Sequence, residues 1–568
     1  MTTTLERTVG PAQARVGASP RAEWLGPLVV LAAYTASAFV IPTLSNVAVT
    51  DDWVYYRSVE TLLVQHRLEV HQMSSAALVF QTLWGALFAS VLGLSFGVLR
   101  ISTLVMVGVG GLAAYGLMRE LRVSRAWSTL GMAAYLFHPL SLSLGYTFMT
   151  DPHFVALALI ATWLYVRGLR GSAAWFVVGS IAASCAVLVR QQGVLIPAGV
   201  FAALILGRGV GSWRRAFAVL LQTSALPAVT FVAFSAWLRY VNGTPYALAL
   251  FYDDISSAGW MGVVELLPRL AIIQATYIGF FVLPIAIAAL PGVSAVRPRG
   301  WRVSGVLAWA CLVIGGAISY WLDGQKAMPY VGQFVTATGI GPEDLIAARP
   351  VLMQPPERVA LTVLCVVASV LFAAAVLRQR RLGTALLVVL AVAVGQVVGT
   401  IPSSVHFIAW SGTLDRYLLP LLPMCILLLL AALPGIRASL ALAWVAVIVM
   451  GAWSVAGTRD HLAFVDGIWS LATQANGMGI DDLHLDAGAG WDGFHDYAGP
   501  PDPAVRPRTP NPQWWAELFA PRTDSSYVIA GEALRGYAVV AQGGYYSWLR
   551  QEWMPLYLLR RPGVAGPP

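Results

Sequence analysis

Apolar runs long enough to cross a bilayer recur along this chain and constrain it more than any motif does. A hydrocarbon core about 30 Å thick takes about 20 apolar residues as a helix, because lipid offers an open backbone no hydrogen-bond partner. Such runs, or ones close to that length, occupy 24–45, 101–118, 126–146, 152–169, 174–190, 193–207 and 216–238. They resume at 268–290, 303–322, 358–377, 383–401, 417–434 and 439–456. Only 11% of the residues are charged, against roughly 25% in a soluble domain. The sequence therefore predicts an all-α polytopic membrane protein of about thirteen spans. Its divisions are a cytoplasmic N-terminal tail (1–23), a transmembrane domain (24–456) and a small extracytoplasmic C-terminal domain (457–568) of α/β or mixed type.

One further run, 76–97, decides the orientation of everything after it. If it does not cross, the cytoplasmic loops hold Arg119, Arg122, Arg125, Arg167, Arg170, Arg208, Arg214 and Arg215. They also hold Arg297, Arg299, Arg302, Arg378, Arg380, Arg381 and Arg437, against the single acid Glu120. Positive charge favours the cytoplasmic side, so 76–97 is read as an interfacial or re-entrant helix in the first outer loop. Acids then collect outside: Asp51, Asp52, Asp151, Asp253, Asp254, Glu265, Asp323 and Asp415. The scattered arginines are topology determinants and imply no nucleic acid partner. The first apolar run is too long for a cleaved signal peptide. The Arg-heavy composition, with Lys326 the only lysine, suits a bacterial plasma (inner) membrane protein.

Adjacent carboxylates at the mouth of a span must stay hydrated, bind a cation or do chemistry. In "NVAVTDDWVYYRSVE" (46–60), Asp51 and Asp52 open an amphipathic helix that suits the membrane surface. Capping by Thr50, Asp51 or Asp52 is the plainer reading. Asp151, before Pro152, has the arrangement of an N-cap followed by proline at N1, and capping does not exclude function. Arg190 and Arg416 stand at outer helix ends, where an arginine either snorkels or binds phosphate in bidentate fashion. Lys326 and His406 lie in outer loops. In the tail, "LHLDAGAGWDGFHDY" holds His484, Asp486, Asp492, His495 and Asp496. Their spacing matches no strong metal pattern, so they are read as polar turn residues around a packed Trp491.

The phrases "TDDWVYYRSVETLL", "TLWGALFASVLGLSFGVLR", "TFMTDPHFVALALIATWLYVRGL", "RQQGVLIP" and "DRYLLPLLP" together resemble the glycosyltransferase-C superfamily. The likeness is to its family-39-like branch, related to protein O-mannosyltransferases and the lipid A aminoarabinose transferase. It covers about 24–435. The resemblance implies a catalytic carboxylate in the first outer loop, which lands on Asp52 with Asp51 beside it, and a second acid at Asp151. It implies a polyprenyl-phosphate-linked sugar donor held by basic residues, for which Arg57, Arg190, Arg416 and Lys326 are the candidates. Tyr56, His153 and His406 are candidates for substrate contact. A divalent cation (Mg or Mn) is left open, since metal use differs within the superfamily. The acceptor would be an extracytoplasmic glycan, lipid or protein, with Asp52 as general base and inversion at the anomeric carbon. The rival readings are a transporter or flippase of lipid-linked sugars, and a non-catalytic cell-envelope subunit. The first predicts ionisable residues deep inside spans, where this sequence has almost none.

Overall fold

The computed structural model describes residues 20–207, 213–295, 300–379, 382–407, 413–500, 507–509 and 512–565. Most of the expected tail 1–23, and Arg208, Arg297, Arg299, Arg380 and Arg381 of the expected cytoplasmic loops, lie outside the described residues.

Helices α1 (Pro20–Val40) and α4 (Phe96–Glu120) run antiparallel, with α2 (Asp52–Gln65) and α3 (Val79–Leu92) between them in sequence. At one end the Phe96 N–H donates to Asn46 Oδ1 at 2.9 Å. At the other, Arg119 Nε meets Glu23 Oε1 at 2.7 Å. The chain thus leaves α1 and enters α4 on the same side, and 79–92 does not cross. Its 14 residues reach only about 21 Å as a helix. Ser95 starts α4 as an N-cap, its hydroxyl accepting the Val98 N–H at 3.2 Å.

After α5 (Arg125–Leu136), His138 and Pro139 break the chain into α6 (Pro139–Gly145), which meets α7 (Thr150–Gly168) at 112°. That elbow carries Thr150 and Asp151 to the end of the bundle where α2 lies. Next come α8 (Ala174–Val187), α9 (Leu195–Leu206), α10 (Trp213–Trp237), α11 (Tyr246–Ala289) and α12 (Trp301–Leu322). A loop with the two-residue strands β1 (Val335–Thr336) and β2 (Gly339–Ile340) leads to α13 (Pro355–Arg378) and α14 (Thr384–His406). A 3-10 turn over Asp415–Leu418 precedes α15 (Leu421–Ala432). Among the described residues nine helices are long and apolar enough to cross a membrane, ten if the bent α6–α7 pair is one span. The chain is a multi-pass membrane protein. The expected count of thirteen included 126–146, 174–190 and 193–207, whose helices are shorter than that length test requires.

The helix α16 (Leu440–Gly477) has 38 residues, about 57 Å, nearly twice a bilayer core. Its first half presents Val445, Ile448 and Val449 outward. Its second half buries Leu462, Phe464, Ile468 and Leu471 under the C-terminal residues. The boundary drawn at 456/457 therefore falls inside one continuous helix. The C-terminal part adds β3 (Leu485–Asp486), α17 (Ala489–Asp496), α18 (Trp514–Leu518), β4 (Tyr527–Ala530), β5 (Ala538–Ser547) and β6 (Glu552–Arg560). Its sheet has the order β3-β4-β6-β5, parallel only between β3 and β4. Asp460 of α16 accepts the Ser547 hydroxyl at 2.5 Å and the Trp548 and Leu549 N–H groups at 2.7 and 3.1 Å, which fixes the β5–β6 turn.

This part seats α2. Trp53 is fully buried, with Tyr497 and Phe519 ring centroids each 5.2 Å away. A Cβ at Gly493 would lie 2.3 Å from Trp53 Nε1. Gly493→Ala is therefore expected to destabilise the protein by roughly 1–3 kcal/mol, the usual range for overpacking. A lowered thermal unfolding temperature with altered Trp fluorescence in detergent is the check, and an unchanged protein would count against this seat.

Candidate active site

Thr50 adopts a left-handed φ of 46°, a conformation that costs a β-branched residue of order 1–3 kcal/mol. The turn it makes separates the two aspartates. Asp52 faces inward and is fully buried, with Oδ1 accepting the Val49 N–H at 2.7 Å. Burial pushes its carboxyl up to about 7, while Arg100 pulls the other way. Arg100 itself donates to the Ser45 and Val47 carbonyls, so Asp52 and Arg100 together pin the 45–49 loop. Asp51 keeps access to solvent, and no side-chain cap bond joins it to α2. Its Oδ1 accepts the Thr50 hydroxyl at 3.2 Å and its Oδ2 accepts Arg416 Nη2 at 3.2 Å. Asp52 as the reacting carboxylate does not suit this geometry: a sealed oxygen cannot reach an acceptor hydroxyl.

Asp151 lies inside the first turn of α7, one residue past its start, and is not the N-cap, which is Met149. Its Oδ1 pairs with Arg190 Nη1, which also donates to Thr150 Oγ1 at 3.3 Å. A carboxylate there also suits the positive end of the helix dipole. The Arg190 and Arg416 guanidinium carbons sit 5.0 and 5.2 Å from the Tyr417 ring centroid. One tyrosine thus joins an Asp51–Arg416 pair to an Arg190–Asp151 pair. Met149 Sδ lies 3.9 Å from Arg416 Nη1.

Two residues that the sequence reading passes over complete the cleft. Tyr55, four residues after Asp51 and so on the same helix face, feels Asp51, Asp151, Arg416 and Tyr417. Asp344, from the loop after α12, comes within reach of Thr50 and feels Asp51 and Arg416. Burial pushes its carboxyl up to about 7. Asp415 holds that loop by accepting the Phe334 and Val335 N–H groups at 3.0 and 2.7 Å, rather than pairing with Arg416. Arg416 Nε, Asp151 Oδ2 and Asp344 Oδ2 are buried without hydrogen-bond partners. Buried polar atoms are seldom left so, and three in one cleft suit a polar ligand.

The other expected residues lie elsewhere. Arg57 pairs with Glu60 at 2.7 Å, donates to the Phe494 carbonyl at 2.8 Å and covers that ring, so it ties α2 to α17. Tyr56 stacks on Phe96 at 4.5 Å, on the face away from Tyr55. His153 is fully buried, its Nδ1 3.1 Å from the Met149 carbonyl. Lys326 pairs with Asp323 at 2.8 Å at an exposed site. His406 Nδ1 meets Asp254 Oδ2 at 2.6 Å. No group of three or more His, Cys, Asp or Glu residues able to hold a metal ion occurs among the described residues. Asp51 and Asp151 are each already neutralised by a guanidinium, so the cleft does not fit a divalent cation.

In the C-terminal part, Asp486, Asp492 and Asp496 turn inward, taking bonds from Trp515 Nε1 (3.1 Å), the Ala487 N–H (2.9 Å) and Thr523 Oγ1 (3.0 Å). Burial raises all three carboxyls, Asp496 to about 7. The folded state therefore holds protons that the unfolded chain has already released. Stability is expected to fall as pH climbs from 3.8, the ordinary value, to about 7, and then to level off. Thermal unfolding across that range tests this, and Asp496→Asn should flatten the slope.

No family model matches the chain, and no curated protein does. Solved structures do. The S. cerevisiae protein O-mannosyltransferase Pmt1-Pmt2 complex, solved with its sugar donor, is 13% identical over 39% of this chain, with a TM-score of 0.31. The match spans 34% of that protein's length. ArnT from Cupriavidus metallidurans, bound to undecaprenyl phosphate, is 13% identical over 95% of this chain and 99% of its own, TM-score 0.37. The Archaeoglobus fulgidus oligosaccharyltransferase is 13% identical over 90% and 70%, TM-score 0.43.

Proposed function

We propose that the chain is a glycosyltransferase of the bacterial plasma membrane. It would move a sugar from a polyprenyl-phosphate donor to an extracytoplasmic acceptor, with inversion. The observation that carries the reading is the pair of carboxylate–guanidinium contacts meeting at Tyr417, with unpartnered polar atoms between them. The cleft lies at the end of the bundle where α2 and α3 rest, so a lipid tail remains in the bilayer while its headgroup enters.

In the proposed reaction the acceptor oxygen attacks the anomeric carbon as the bond from that carbon to the phosphate oxygen breaks. The acceptor proton passes to Asp51, which Arg416 and Thr50 orient. A positioned base contributes about 10²–10⁴-fold. The phosphate leaves as an anion toward Arg190 and the unpartnered Nε of Arg416, in the manner of an oxyanion site. Asp151 aims Arg190, and Asp344, protonated near neutrality, avoids repelling Asp51. The base assignment thus passes from Asp52 to its neighbour, while Asp52 shapes the loop.

The test is release of polyprenyl phosphate by purified protein in lipid, from a panel of polyprenyl-phosphate sugars with membrane extract as acceptor source. Release by wild type and not by Asp51→Asn supports the reading. Equal release by both removes Asp51 from the chemistry, and movement of intact donor across the bilayer favours the flippase.

A further inference from the structure

A pocket of about 540 Å³ lies away from the Asp51–Arg416 cleft, between the end of α1, the second half of α16 and the β5–β6 hairpin. Ile41 and Pro42 of its wall begin the loop that delivers Asp51, so it opens at the same end of the bundle.

One wall is a polar stripe on α16. Asp466, Ser470 and Gln474 recur every four residues and share one face, and all three are exposed. The facing wall is aromatic, with Tyr546 43% and Trp553 61% exposed. Large rings left open beside a concave surface mark a binding site. Glycine makes the room: a Cβ at Gly544 would lie 2.6 Å from Trp553 Nε1, and one at Gly467 would lie 3.0 Å from Leu556.

The charge selects the ligand. Arg459 is committed, donating to the Tyr546 carbonyl at 3.1 Å with its guanidinium 4.2 Å from the Trp548 ring. Asp466 is the charge left facing the pocket, and it repels a phosphate. A carboxylate, an amide and a hydroxyl opposite flat rings match a molecule with hydroxyls on its edge and C–H groups on its faces. We propose that this pocket binds one or two rings of a neutral glycan, at a site separate from the donor cleft.

The experiment uses full-length protein in lipid nanodiscs and end-labelled neutral gluco-, galacto-, manno- and arabino-oligosaccharides, with binding followed by fluorescence polarisation. Saturable binding of at least one is expected for wild type and equally for Asp51→Asn. Trp553→Ala and Ser470→Trp should each weaken it about tenfold. Both positions are exposed, and unchanged thermal unfolding would show that the variants fold. Binding by none of the oligosaccharides would overturn the proposal, as would binding indifferent to both substitutions. So would binding lost in Asp51→Asn but kept in Trp553→Ala, which would place the glycan in the cleft. Displacement by glycerophosphoglycerol would likewise overturn it and identify a lipid headgroup site. The readout is binding, so a failure here is distinct from a failure of the transfer reaction.

Discussion

Asp51→Asn is expected to lower sugar transfer by about 10²–10⁴-fold, while Asp52→Asn leaves the rate close to wild type. Adjacent carboxylates normally invite the same substitution and the same interpretation, yet here they occupy different environments. The Asp51→Asn change would keep the size of the side chain and lose both the basicity and the charge that Arg416 Nη2 meets at 3.2 Å. The Asp52→Asn change would keep an oxygen for the Val49 N–H. It would also remove a carboxyl that burial pushes up to about 7, so the variant should gain stability relative to wild type as pH rises toward 7. Single-turnover release of polyprenyl phosphate and thermal unfolding of both variants decide the matter. The reverse pattern, with Asp52→Asn inactive and Asp51→Asn active, would return the chemistry to the buried residue and require a loop movement that opens it.

The sequence made the membrane architecture legible because hydrocarbon imposes a length and a polarity on every span. It marked Asp51, Asp151, Arg190 and Arg416 because charged residues at span ends are few. Orientation within an element was harder to read. Choosing Tyr56 over Tyr55 is a one-residue difference, and on a helix that moves a side chain by about 100°. The i, i+4 spacing from Asp51 already pointed to Tyr55. Arg57 looked like a phosphate ligand until the fold supplied Phe494, more than 400 residues later in the chain. Asp344 had no local signal at all. It reaches the cleft through a long loop anchored by Asp415, a contact between residues 80 positions apart.

Arg416→Lys is expected to lower kcat by about 10²–10³-fold, the range for losing one donor to a developing anion. The substitution keeps the charge and loses the shape. A guanidinium holds Asp51 with Nη2 while Nε is left for the leaving phosphate, and a lysine ammonium is a point charge that cannot meet two anions in one plane. The loss should fall on kcat more than on KM, because the phosphate gains charge only as it leaves. Arg416 and Asp51 touch, so their substitutions should not add. Asp51→Asn with Arg416→Lys should be little slower than Asp51→Asn alone, since the guanidinium's part in holding the base vanishes with the base. Fully additive losses would separate the two residues and leave Arg416 acting on phosphate only. A kcat near the wild-type value in Arg416→Lys would remove Arg416 from the site and leave Arg190 as the sole cation for the leaving group.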